Sequence, residues 1–167
     1  MEIIGYKCFN KDLTNNYGLK FEVGKTYTTT NKVEFKKNGF HMCKRLEDTL
    51  RFFDFKNNNI SICLVKGSGN IKEGIDEYYG YYEMYSVETI EIIKELTRKE
   101  IIDYAINLNT DCIKRFITCF SLTSIEISYF KEKFKNNNQI IDYIEYYQEQ
   151  KLDTFKKRYK KLISSNS

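Results

Sequence analysis

Val87–Ile106, VETIEIIKELTRKEIIDYAI, holds the change of period on which the fold turns. Ile90 and Ile92 flank Glu91, the two-residue repeat of a half-buried strand. Thr97-Arg98-Lys99-Glu100 then reads as a capping box, Thr as N-cap and Glu at the third helical position. Beyond it Ile101, Ile102, Ala105, Ile106 and Leu108 form one helical stripe. Strands before this point and helices after it predict an α+β chain. The expected parts are a mainly antiparallel sheet with one short helix over residues 1–95, and a bundle of about four helices over 96–167, packed on the sheet domain or beside it.

On the N-terminal side, Ile60–Val65 (ISICLV) is the clearest strand, and Lys66-Gly67-Ser68-Gly69 after it reads as a hairpin or flexible loop. Tyr81–Tyr85 and Val87–Ile93 follow as strands. Leu46, Leu50 and Phe53 in Arg45–Phe53 step by four and three, a short helix ended by Asn57-Asn58-Asn59. Gly39–Cys43 and Glu2–Phe9 are β-prone, the latter followed by the polar turn NKDLTNN. Leu19, Phe21 and Val23 alternate with polar residues, Gly24-Lys25 turns the chain into TYTTT, and Lys32–Phe35 is placed to pair with that run.

On the C-terminal side a second stripe is Ile113, Phe116, Ile117 and Phe120, capped by Thr110 or Asp111. A third is Ile125, Tyr129, Phe130 and Phe134, broken by Asn136-Asn137-Asn138. A long last helix is expected from Gln139 to about Ile163, with Leu152, Phe155, Tyr159 and Leu162 as its seam. Gln148 falls where that seam calls for an apolar residue.

The chain has 167 residues with 14 Tyr and 12 Phe, a load that disordered segments do not carry, and 8 Gly with 0 Pro exclude collagen-like and linker classes. No run of about 20 apolar residues is present, and the N-terminus lacks the pattern of a signal peptide, so a cytoplasmic protein without a membrane partner is expected. Five cysteines (Cys8, Cys43, Cys63, Cys112, Cys119) without a CxxC argue against a disulfide framework or a zinc cage, and read as small buried hydrophobes. Residues 1–96 carry 14 Lys/Arg and 14 Asp/Glu, so the net +4 belongs to 97–167, with 13 and 9. Lys151, Lys156, Lys157, Arg158, Lys160 and Lys161 make the last helix basic, either a nucleic-acid surface or a solvated face complementing the helix dipole.

His41 is the single histidine, and on a strand it shares a face with Cys43. At that spacing the two side chains stand parallel, which suits a structural or ligand-binding histidine better than a thiolate dyad. Gly67-Ser68-Gly69 lacks the helix and the Gly-Lys-Ser/Thr of a phosphate loop. Glu73, Asp76, Glu77 and Glu83 lack calcium-loop spacing, so neither metal nor cofactor is expected. Tyr78, Tyr79, Tyr81 and Tyr82 flank Gly80, and such tyrosines serve either a recognition surface or the packing of an edge strand.

Phe21-Glu22-Val23-Gly24-Lys25-Thr26-Tyr27, then Gly39-Phe40-His41-Met42-Cys43, with Tyr6-Lys7-Cys8-Phe9 and Asn10–Thr14 before them, resembles an uncharacterised family of bacteriophages and prophages over about residues 3–95. The resemblance implies a mobile-element origin and no particular chemistry. Gly24 and Gly39 in the motif suit turns with positive φ. The reading that follows is a non-catalytic protein-interaction module that binds or inhibits a host protein. Its alternatives are nucleic-acid binding through the basic helix and an enzyme laid out like ADP-ribosyltransferases. In the last, Glu83 or Glu88 would activate the acceptor, while His41 and Tyr27 would line a nicotinamide pocket.

Overall fold

A computed structural model describes residues 1–52, 59–77 and 82–149. The chain divides into two units, Met1–Glu100 and Ile101–Ser167. The first is a sheet of five antiparallel strands with one short helix, and helices make up the described part of the second, an α+β protein.

In the first unit the strands are β1 (Glu2–Asn10), β2 (Thr26–Thr28), β3 (Phe40–Cys43), β4 (Ile60–Asp76) and β5 (Tyr82–Glu95), with α1 (Leu46–Thr49) after β3. β4 pairs with β1 along one edge, Glu2 opposite Ser68 through Asn10 opposite Ile60, and with β5 along the other. β5 pairs in turn with β3, Phe40 opposite Val87, and with β2, Tyr27 opposite Ile90. β3 meets β1 only at Tyr6 opposite Cys43, so β1, β4, β5 and β3 close on themselves through a one-pair seam. Gly5 lies beside that seam, where a Cβ would stand 2.4 Å from the Cys43 carbonyl oxygen and force the strands apart. Phe9, Phe21, Met42, Cys63, Val65, Tyr85, Val87, Ile90 and Ile92 fill the core, with Ile3, Tyr27 and Phe40 packed against them.

Several expectations give way here. Gly67-Ser68-Gly69 is neither hairpin nor loop but the middle of β4, the strand being 17 residues long. A register shift between Ser68 and Ile71 inserts a bulge, which Gly69 accommodates at φ 78° and the Glu88 carboxylate closes by accepting from the Asn70 amide at 2.8 Å. Tyr81–Tyr85 and Val87–Ile93 belong to one strand, β5, apart from Tyr81, which lies outside the described residues. Leu19–Val23 forms no strand: Phe21 alone is buried, and Leu19 and Val23 stay exposed. Lys32–Phe35 turns back on itself through a Glu34–Asn38 bridge instead of pairing with β2. The Arg45–Phe53 helix is shorter than expected, α1 followed by a tight turn Leu50–Phe52, with Leu46 and Leu50 buried.

The motif residues act as fold grammar. Gly24 and Gly39 take φ 81° and 104°. The Tyr27 hydroxyl accepts from the Glu22 amide at 2.9 Å while Lys25 pairs with Glu22 at 2.8 Å, which closes the turn around Gly24. Asp12 accepts from the Thr14 hydroxyl at 2.7 Å and its amide at 3.1 Å, bonds that hold the Asp12 carboxyl below its ordinary range.

The helices are α2 (Arg98–Ala105), α3 (Thr110–Cys119), α4 (Ser124–Lys133) and α5 (Asn138–Ile144), which runs into a wide turn Glu145–Glu149. The Thr97/Glu100 capping box forms, with bonds of 2.9 and 3.2 Å. Asn109, not Thr110 or Asp111, caps α3, because its side chain accepts from the Cys112 amide. α4 begins at a second capping box, Thr123 with Glu126, and this rotates its buried face to Ile127 and Phe130. Ile125, expected in the stripe, is 83% exposed. Phe116 stacks between Phe120 and Phe130, with centroids at 4.8 and 6.3 Å. Gln148 is buried for a reason the seam pattern hides. Its amide donates to the Ile117 carbonyl and, at 2.8 Å, to the Phe120 carbonyl, while its oxygen accepts from the Leu122 amide at 3.0 Å. It supplies partners to the backbone groups that the end of α3 leaves open. The continuation of the last helix to Ile163 lies outside the described residues.

Candidate functional site

Where β1 and β3 part on either side of their single pair, a half-open cleft of about 760 Å³ runs between them. Its walls are Tyr6–Cys8 of β1, Phe40–Cys43 of β3, Asn15–Tyr17 and Leu19 of the loop after β1, and the stretches Thr28–Asn31 and Lys36–Gly39. The strand pleat explains its most unusual component. Ile3 and Phe9 face the core, so Lys7, on the same face of β1, does too. The Lys7 ammonium donates to the His41 carbonyl at 2.6 Å and lies 5.6 Å from the centre of the Phe9 ring. Burial, opposed only weakly by the Cys43 and Cys8 thiols, lowers its pKa from 10.5 to about 8.

His41 lines the same cleft, and among the described residues its buried Nε2 has no hydrogen-bond partner. Burial first, then the charges of Lys7 and Lys36, push its pKa down, so the ring is neutral near pH 7. Cys43 shares the cleft but not its chemistry. Burial and the nearby Asp48 charge push its thiol up to about 12, far from a thiolate nucleophile. Asp76, at the end of β4, is buried and held from both sides, by Lys36 at 2.8 Å and Arg51 at 3.1 Å. Arg51 in turn lies 3.8 Å over the Tyr82 ring, so this tyrosine is engaged within the fold.

The other site residues read from the sequence do not join His41. Tyr27, Glu83 and Glu88 all lie outside the cleft lining. Tyr27 closes the Gly24 turn, Glu83 pairs with Lys44 at 3.3 Å and Arg45 at 3.8 Å, and Glu88 closes the β4 bulge. Tyr78, Tyr79, Tyr81, Lys156, Lys157, Arg158 and Lys160 lie outside the described residues. Among the described residues no group of three or more His, Cys, Asp or Glu is placed to hold a metal ion, and no helix is long and apolar enough to cross a membrane.

The sequence reading passed over Lys7 and Tyr17. For Lys7 the signal was available, a lysine at an inward position of an otherwise apolar strand. For Tyr17 it was not. Asn15 builds a tight loop, its side chain accepting from the Tyr17 amide at 3.0 Å and the Leu19 amide at 2.9 Å, and its own amide donating to the Leu19 carbonyl at 2.9 Å. At the tip of that loop, on the cleft wall, Tyr17 is 95% exposed.

Fold and cleft together define a small closed antiparallel sheet domain that carries an open, partly basic groove and is followed by helices. Residues 3–104 match the model of a family described as a domain of unknown function, DUF7666, and the chain belongs to that family. No curated protein and no solved structure matches it.

Proposed function

We propose that the chain is a non-catalytic binding module of mobile-element origin that docks a host protein over the β1–β3 cleft. The observation that carries this reading is Tyr17. Leaving a tyrosine almost fully in water forgoes the burial that an aromatic ring ordinarily gains, and a floppy loop would fold it back. Here the Asn15 bonds hold the loop backbone that carries the exposed ring, with Leu19 also exposed beside it. Exposed aromatic side chains carried on an ordered loop backbone are frequent anchors of protein interfaces. The state of the cleft's reactive groups supports the same reading, since the Cys43 thiol is held protonated and Asp76 is neutralised by two cations. The mobile-element origin rests on the resemblance of the Phe21–Tyr27 and Gly39–Cys43 motifs.

The test is affinity for a partner captured from the native cell and then purified. Because Tyr17 makes no buried contact, Tyr17→Ala should leave the fold intact and weaken binding by about 30-fold or more, as loss of an interface anchor does. Unchanged affinity would remove Tyr17 as the anchor and this docking surface with it.

A further inference from the structure

We infer that the β1–β3 cleft also binds a small molecule bearing a carboxylate or a phosphate, with the Lys7 ammonium receiving the anionic group. This goes beyond the protein-partner reading and does not depend on it. Lys7 lines the cleft, and among the described residues its ammonium has one hydrogen-bond partner, an uncharged carbonyl, and no carboxylate. Lys36, in the same cleft, shows the ordinary solution, an ion pair with Asp76. A half-buried cation without a counter-charge is costly, and such groups are normally paired or serve a ligand. His41 also lines the cleft, so its ring reports on an occupant there.

The cleft itself fits this occupant. About 760 Å³ falls within the range of small-molecule sites. Phe21, Phe40 and Met42 give it an apolar wall for the body of the ligand. The remaining charged groups in the lining do not cancel the pull on an anion. Lys37 pairs with Glu34 at 3.9 Å, and both Asp76 oxygens are taken by Lys36 and Arg51. The expected ligand is therefore an apolar or aromatic body with one anionic head.

His41 is the single histidine, so its ring signals are assigned without ambiguity. The full chain is titrated with benzoate, phenyl phosphate and benzyl alcohol while those signals are followed by NMR. A saturable shift with benzoate, with phenyl phosphate or with both, and none with the alcohol, is the expected result, and the two arms show which head group is preferred. Lys7→Met should weaken the binding about tenfold or more, and Lys7→Arg should retain it. Neither anion saturating, the neutral alcohol binding as tightly, or Lys7→Met binding unchanged would each overturn the assignment. So would saturation by an acetylated tetraglutamate peptide alone, which would hand the site to an acidic protein segment. Should Lys7→Met fail to fold, the choice between anion and alcohol in the wild type still decides.

Discussion

Replacing Lys7 by Met should make the first unit more stable near pH 7, the reverse of what most core substitutions do. Folding lowers the Lys7 pKa from 10.5 to about 8. At about 1.4 kcal/mol per tenfold, holding the ammonium in the folded chain costs up to about 3.5 kcal/mol, which water at the half-buried side chain reduces to about 2. Methionine has a similar length and no charge, and it fits beside Phe9 and Met42. The substitution also loses the hydrogen bond to the His41 carbonyl, about 1 kcal/mol. The net expectation is a gain of about 1 kcal/mol near pH 7. Between about pH 8 and 10.5 the unfolded chain binds the lysine proton more tightly than the folded chain, so wild-type stability rises with pH through that window. The advantage of Lys7→Met should therefore fade to nothing or reverse near pH 9.5. Urea unfolding followed by the His41 ring signal reads the first unit alone. A variant less stable than wild type near pH 7, or an advantage that does not shrink with pH, would refute the reasoning.

Three further outcomes follow from the fold. Gln148→Leu leaves two carbonyls and an amide at the end of α3 without partners and should destabilise the second unit by roughly 3 kcal/mol, read as faster amide exchange over Ile117–Leu122. Gly69→Ala forces a side chain into φ 78° and to within 2.7 Å of the Glu88 carboxylate, and should cost about 1–2 kcal/mol in thermal or urea unfolding. In native chain at mildly alkaline pH, iodoacetamide should label Cys119 first, because Cys8, Cys43, Cys63 and Cys112 are buried and burial pushes Cys43 and Cys63 up to about 12. Rapid labelling of Cys43, read by peptide mass, would contradict its exclusion as a nucleophile.

The period change at Thr97 made the α+β division legible, because alternation and the capping box are local signals. What the sequence concealed was long-range. Gly67-Ser68-Gly69 looks like a turn, yet β1 and β5 hold Gly67 and Ser68 from both edges, and Gly69 serves a bulge within a continuous strand. Ile125 fits a helical stripe by spacing alone, but the Thr123–Glu126 box fixes where α4 starts and therefore which face is buried. Gln148 looked like a flaw in an apolar seam, since its carbonyl and amide partners lie 26 to 31 residues away. Of the cleft, His41 stood out as the lone histidine. Its neighbours Lys7, Lys36 and Tyr17 come from three separate segments and meet only once the sheet closes.

The docking claim is tested most directly by a photo-crosslinking amino acid placed at position 17 in the native host, with position 72, an exposed site on β4 outside the cleft lining, as control. The account predicts one discrete adduct at position 17, a single protein by mass spectrometry, and none at position 72. No adduct at position 17, or the same adducts at both positions, would contradict it.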